Sequence, residues 1–292
     1  MIKTNKKNLV KMAISGKVSP PERSARFGVD SDGKPFFVPG TGGICYNVIV
    51  GDRAFGWAGD HVEPGVSTRA TKKSRDGQNA AYNFLACIGN EAKLVSGDAK
   101  GELGRVTGHH GGSERVMVDF GEETMEKMTH DDSLIIKSFG QGLELSDYPE
   151  IRVSNIDPEL LEKMNIEEKD GKLYIGVTHF IPAKLMGSGV GSTMVGAGDY
   201  DIMTQDKELV KELGIDKIRF GDIVAIMDHD NVYGRAYRTN AVTIGVVVHS
   251  DCKFSGHGPG VTTFLSSRDQ QIKPFIDSDS NIAKLLGIGV FR

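Results

Sequence analysis

The stretch Ala241–Ser267, AVTIGVVVHSDCKFSGHGPGVTTFLSS, decides how this chain folds. An extended chain presents alternate residues to one face. Its first ten residues therefore set Val242, Ile244, Val246 and Val248 on one side of a strand, and Gly260–Ser267 reads as a second strand. Between these runs lie His249, Asp251, Cys252 and His257, with glycines and a proline that suit a turn. If the first strand persists to Asp251, His249 and Asp251 project together and Cys252 opposes them, while His257 returns from beyond the turn. His249, Asp251 and His257 are then candidate ligands for one divalent metal ion, or a polarised base. The competing reading is a tight turn whose histidines bond only backbone carbonyls.

Outward from this stretch the pattern stays β-rich. Asp222–Asp228 (DIVAIMD) is nearly all apolar, as expected of a strand buried on both faces. Lys172–Pro182 reads as another strand. Glu102–His110, Glu114–Gly121 and Ser133–Gly142 are short strands joined by glycine turns and one helical turn, which suggests a small barrel-like unit. Helices are short. Ala81, Phe84, Leu85 and Ile88 fall at helical spacing before Gly89, and Asp157-Pro158 has the N-cap and first-turn chemistry of a helix start. Asp206–Gly214 and Ser280–Gly287 read as two more. The expected fold class is mainly β with a few short helices (α+β), a multi-part β barrel/sandwich architecture with a small inserted β module. The expected division is a β-rich N-terminal domain over 1–96, the barrel-like module over 97–142, and an α+β domain over 143–292 that holds the buried strands.

Bulk properties narrow the function classes. The chain has 292 residues with net charge −4, a balance that argues against general nucleic-acid binding. Its one basic run, Thr68–Arg75, reads as a solvated loop. Three cysteines without a CxxC pair fit a reducing compartment. No stretch approaches the apolar length of a membrane span, and the N-terminal apolar run is too short for a signal peptide. A soluble cytoplasmic protein is expected, with a small-molecule ligand, no nucleic-acid or membrane partner, and assembly as a homo-oligomer.

Further polar residues join the candidate site. Asp199 and Asp201 share a face if extended, as do Asp228 and Asp230, and paired carboxylates suit hard cations. Asp also caps turns for its own sake. Arg235 and its neighbour Arg238 could hold a carboxylate or phosphate, or simply pair with the same aspartates. Secondary candidates are His109 and His110, whose adjacency points them to opposite strand faces, and Asp60 and His61 in GDHVEPG, where Glu63 shares the parity of His61. MGSGVGS (Met186–Ser192) departs from the dinucleotide fingerprint, and Walker A, GxSxG and HExxH motifs are absent.

Taken together, PGTGGICYNVIVGDRAFGWAGDHVEPG, SGDAKGELGRVTGHHGG, IPAKLMGSGVGS, DYDIMTQD, RFGDIVAIMDHDNVYGRAYRTNAVTIGVVVHSDC and GHGPGV resemble the domain-of-unknown-function 4438 family. The likeness runs over most of the chain in consistent order. It implies a mainly-β, multi-part protein with a small β insertion, but no reaction and no catalytic residues. A fainter likeness to acetamidase/formamidase-type amidases lies only in the β-rich plan. Two functions are expected as alternatives: a metal-assisted hydrolase acting on a small molecule through the C-terminal His/Asp loops, or a non-catalytic oligomeric protein that binds a ligand or serves structurally.

Overall fold

A computed structural model describes residues 2–21, 28–71 and 76–292. The Lys72–Arg75 part of the basic run lies outside them. The N-terminal half is built on one antiparallel sheet. Met12–Val18 pairs with Ser133–Ser138, which continues through Glu91–Leu94, Leu103–His110 and Arg115–Asp119 to Gly65–Arg69. Gly65–Arg69 pairs back onto Met12–Val18 through Lys17↔Arg69 and Val18↔Thr68, which closes a six-stranded barrel. Where closure would leave the start of Gly65–Arg69 as an edge, Ile44–Cys45 pairs with it. The boundary expected at 96/97 is therefore no boundary in hydrogen bonding. Strands 103–110, 115–119 and 133–138 cannot complete a barrel without the strands that precede them, because so short a module buries too little by itself.

The C-terminal half carries a second sheet, ordered Arg152–Val153, Gly260–Ser267, Ala236–Val247, Ile223–Asp230 and His179–Pro182, with Tyr200–Asp201 also pairing to Gly260–Ser267. Ile223, Val224, Ala225 and Ile226 are all buried, as the unbroken apolar run predicts. The two halves meet closely. A side chain at Gly108 would collide with Val248 and Met117, so only glycine lets the barrel strand approach the start of the 248–259 loop. One continuous hydrophobic core spans both halves.

The helices start where the sequence says. Asp157 accepts from Glu159 N at 2.7 Å ahead of Pro158–Lys163, Asp206 caps Lys207–Glu212, and Asn281 caps Ile282–Leu286, which ends on left-handed Gly287. In Gly77–Leu85 the buried face is Asn79, Tyr82 and Asn83, whereas Phe84 is exposed. The apolar spacing misled here because this helix packs a polar face against the barrel: Tyr82 hydroxyl meets Thr68 at 2.8 Å, and Asn79 and Asn83 bond the Glu114 carbonyl. No helix among the described residues is long and apolar enough to cross a membrane.

Candidate metal centre

Where the barrel meets the C-terminal sheet, polar side chains from five segments converge. His110 ends the barrel strand Leu103–His110. Asp199 precedes and Asp201 ends the short strand Tyr200–Asp201, with Tyr200 buried between them. His249 follows the end of strand Ala236–Val247, and His257 sits in the loop before Gly260. His61 and Asp60 come from the long loop ahead of Gly65–Arg69. That loop is zipped to the 250–253 segment: Val62 N donates to Ser250 Oγ, Ser250 N to Val62 O, and Lys253 N to Asp60 Oδ1, at 2.8–3.0 Å. His61 itself is held at φ +52°, a left-handed conformation unusual for a side-chain-bearing residue and typical of constrained sites.

The hydrogen bonds of the four rings fix their roles. His110 Nδ1 lies 2.6 Å from Glu63 Oε1, His61 Nδ1 2.9 Å from Asp60 Oδ2, His249 Nδ1 3.0 Å from Ser250 O, and His257 Nδ1 3.0 Å from Ser255 O. Each partner can only accept, so each Nδ1 carries the proton and each ring turns its Nε2 to the other side, as a lone pair whenever the ring is neutral. This is the arrangement by which metal-ligating histidines are oriented. Facing those lone pairs are more acceptors. His249 Nε2 is 2.8 Å from Asp199 Oδ2 and 3.6 Å from Asp201 Oδ1, and His61 Nε2 is 3.7 Å from Asp201 Oδ2. His249 Nε2, Asp199 Oδ2 and Asp201 Oδ2 are buried, and none makes a hydrogen bond among the described residues. With His249 neutral these are inward-facing acceptors without donors, and a positive charge between them, a proton on Nε2 or a metal ion, satisfies all three.

Two sets of three donors have mutual separations within 4.8 Å: His110, Asp199 and His249, all buried, and His61, Asp201 and His257. The carboxylates stay ionised. Burial works against the charge on Asp199 and Asp201, but the adjoining His249, with His110 at Asp199 and His61 at Asp201, outweighs it and lowers both pKa values. Burial likewise opposes a charged His249 ring, yet Asp199 and Asp201 raise its pKa well above the usual imidazole value, so a cation at Nε2 has to displace a proton there. Glu63, fully buried, is also held low against burial, by His110, Arg115 and Ser67. The site opens on a cleft of about 420 Å³ whose walls include Asn83, Gly111, Ser188, Met194 and Arg235.

The structure sorts the expected residues. His249, His257, Asp199, Asp201, Asp60, His61 and His110 meet here. Asp251 does not: the strand ends at Val247, so the parity with His249 is lost. Asp251 instead accepts from Thr204 and lies 3.8 Å from Lys207 Nζ. Asp228 sits at a β-bulge with φ +54° and accepts from Asn240 N at 2.7 Å, while Asp230 pairs with Arg268 at 2.7 Å; neither faces the centre. Arg235 stacks on Tyr200 at 4.8 Å and donates to the carbonyls of Asp199 and Ala197, so it braces the Asp199 backbone. Arg238 is exposed. His109 points to the opposite face and bonds the Ala86 carbonyl. Sequence reading undervalued Glu63, whose oxygens accept from Gly42 N, Ser67 Oγ, Ser113 Oγ and His110 Nδ1. Its shared parity with His61 was the only signal, and its true partner is His110.

His109, beside the centre, gives a test of the fold. Burial, its main cause, depresses the ring pKa to about 4, although the Ala86 carbonyl and Asp199 pull the other way. The unfolded ring titrates near 6.5, so this contribution is complete above that pH and is lost as pH falls through about 4, by roughly 3 kcal/mol. Urea titrations from pH 7 to 4 should show the loss, and His109→Gln should flatten that part of the profile. An unchanged slope would place the His109 proton elsewhere.

Comparison with known proteins agrees with the architecture. No curated protein matches the chain. A solved structure titled "Crystal structure of TM1086" shares 47% sequence identity over 97% of this chain and 98% of that one, with a TM-score of 0.92. The family profiles described as "Domain of unknown function (DUF4438), N-terminal" and "C-terminal" match residues 27–162 and 163–286 in turn. The chain belongs to the DUF4438 family.

Proposed function

We propose that the protein is a metal-assisted hydrolase of a small molecule, with the His/Asp cluster as its metal centre. The observation that carries this reading is the inward ring of lone pairs: four imidazoles locked through Nδ1, facing two ionised aspartates. Imidazole and carboxylate ligands suit Zn²⁺, Mn²⁺ or Co²⁺, and such an ion lowers the pKa of a bound water toward neutrality, making hydroxide available as a nucleophile. The cleft volume is in the range of small-ligand pockets. Two of its lining residues keep a buried polar atom without a partner among the described residues, Asn83 Oδ1 and Arg235 Nε, and these offer one acceptor and one donor to orient a substrate. Asn83 cannot be flipped without facing its NH₂ away from two carbonyls, Asn79 O and Glu114 O.

The test is a hydrolysis panel of small amides, esters and lactones, run on protein stripped by chelation and then reloaded with Zn²⁺, Mn²⁺ or Co²⁺. Activity should appear only after reloading. His249→Ala should lower kcat/KM at least 100-fold and lose the ion. Metal-replete protein that turns over nothing in the panel would contradict catalysis and favour the non-catalytic ligand-binding reading.

A further inference from the structure

We infer that the centre takes two divalent cations rather than one, one in each of two adjoining donor sets. This rests on the metal reading above and goes further. The six inward side chains divide into two sets of three without a shared member, and no set of mutual neighbours among the described residues contains both His110 and His257. A single octahedral ion with bonds of about 2.1 Å holds even opposite ligands only about 4.2 Å apart. Ligands of one ion would therefore all fall in one set, and these do not.

Asp201 occupies the seam. Its Oδ1 faces His249 Nε2 at 3.6 Å and its Oδ2 faces His61 Nε2 at 3.7 Å, so the two oxygens of one carboxylate address different histidines. His110 and His249 stack with centroids 4.3 Å apart on one side, while His61 lies 5.4 Å from His257 on the other. Two ions about 3.5–4 Å apart would be able to clamp the attacking and leaving oxygens of a displacement. The charges also match. Asp199 and Asp201 face the ions directly, and Asp60 and Glu63 stand behind His61 and His110, giving four carboxylates opposite two dications. A third donor set, Asp60, His61 and Cys252, lies on the far side of His61. Because Asp60 already accepts from His61 Nδ1, that set orients the ring rather than adding an ion.

The experiment loads the stripped full-length protein with Mn²⁺ alone, removes the excess, and combines elemental analysis with electron paramagnetic resonance. The expected result is two Mn²⁺ per chain and an exchange-coupled spectrum. His257→Ala, at a partly exposed loop position, should drop the content to one and yield the six-line signal of an isolated ion. One Mn²⁺ per chain with that six-line signal in the unaltered protein would overturn the dinuclear assignment and leave the metal reading standing. No bound Mn²⁺ or Zn²⁺ would overturn both.

Discussion

Glu63→Ala is expected to lower stability by about 3–5 kcal/mol, the cost typical of removing one partner from a buried charged pair. In the native protein this carboxylate is fully buried, takes four hydrogen bonds, and lies 3.8 Å from the buried Arg115 guanidinium. Truncation strips a partner from Gly42 N, Ser67 Oγ, Ser113 Oγ and His110 Nδ1 together, and each buried donor left unmade costs about 1–3 kcal/mol. For a chain of this size the melting temperature should fall on the order of 10 °C. Glu63→Gln separates folding from chemistry. Either orientation of the amide sets its NH₂ against donors: at the Oε2 position against Gly42 N–H, or at the Oε1 position against His110 Nδ1–H. The second conflict is relieved if His110 moves its proton to Nε2, which removes the lone pair from the centre. Metal affinity should fall 10–100-fold, as for other losses of an orienting partner, with a smaller change in melting temperature than for alanine. Calorimetry with competitive chelator titration checks both. A Glu63→Gln protein with undiminished metal affinity would show that Glu63 only supports the fold.

Gly260→Ala is the second large effect. The Cβ would overlap Asp199 Oδ2 and His249 Nε2, which lie 2.8 Å apart in the cluster. The Gly260 φ is not in the left-handed region, so the backbone itself tolerates alanine, and the collision falls on the ligands. Metal content should fall to less than one tenth of the unaltered protein, while the circular dichroism of the β-rich fold persists. Full metal content in this variant would place the ion away from Asp199 and His249.

Much of the fold was legible because it is written locally. Asp157-Pro158, Asn281 and Gly287 announce helix ends through their own chemistry, and the apolar runs Ile223–Ile226 and Ala241–Val247 read as buried strand. Barrel closure was not legible, since the pairing of Lys17 with Arg69 is a non-local event with no local signature. The site was half-legible for the same reason. Local parity or a turn marks His249, Asp199 and Asp201, and the structure brings these three together. Asp251 failed because the strand stops at Val247, a boundary that periodicity cannot fix. His110 and His61 were ranked too low because nothing near either residue says that the other, and His249, will lie within 6 Å ring to ring. The domain-of-unknown-function 4438 resemblance supplied the architecture and no site residue, so the centre rests on geometry alone.

The central claim is that cations sit among these lone pairs. It is tested most directly by anomalous diffraction collected above and below the zinc absorption edge, from crystals of zinc-loaded protein. The account predicts strong difference peaks at bonding distance, about 2.0–2.2 Å, from the Nε2 atoms of His110, His249 and His61 and from the Asp199 and Asp201 oxygens. A difference map featureless at this cluster, with zinc bound only at surface residues, would contradict it.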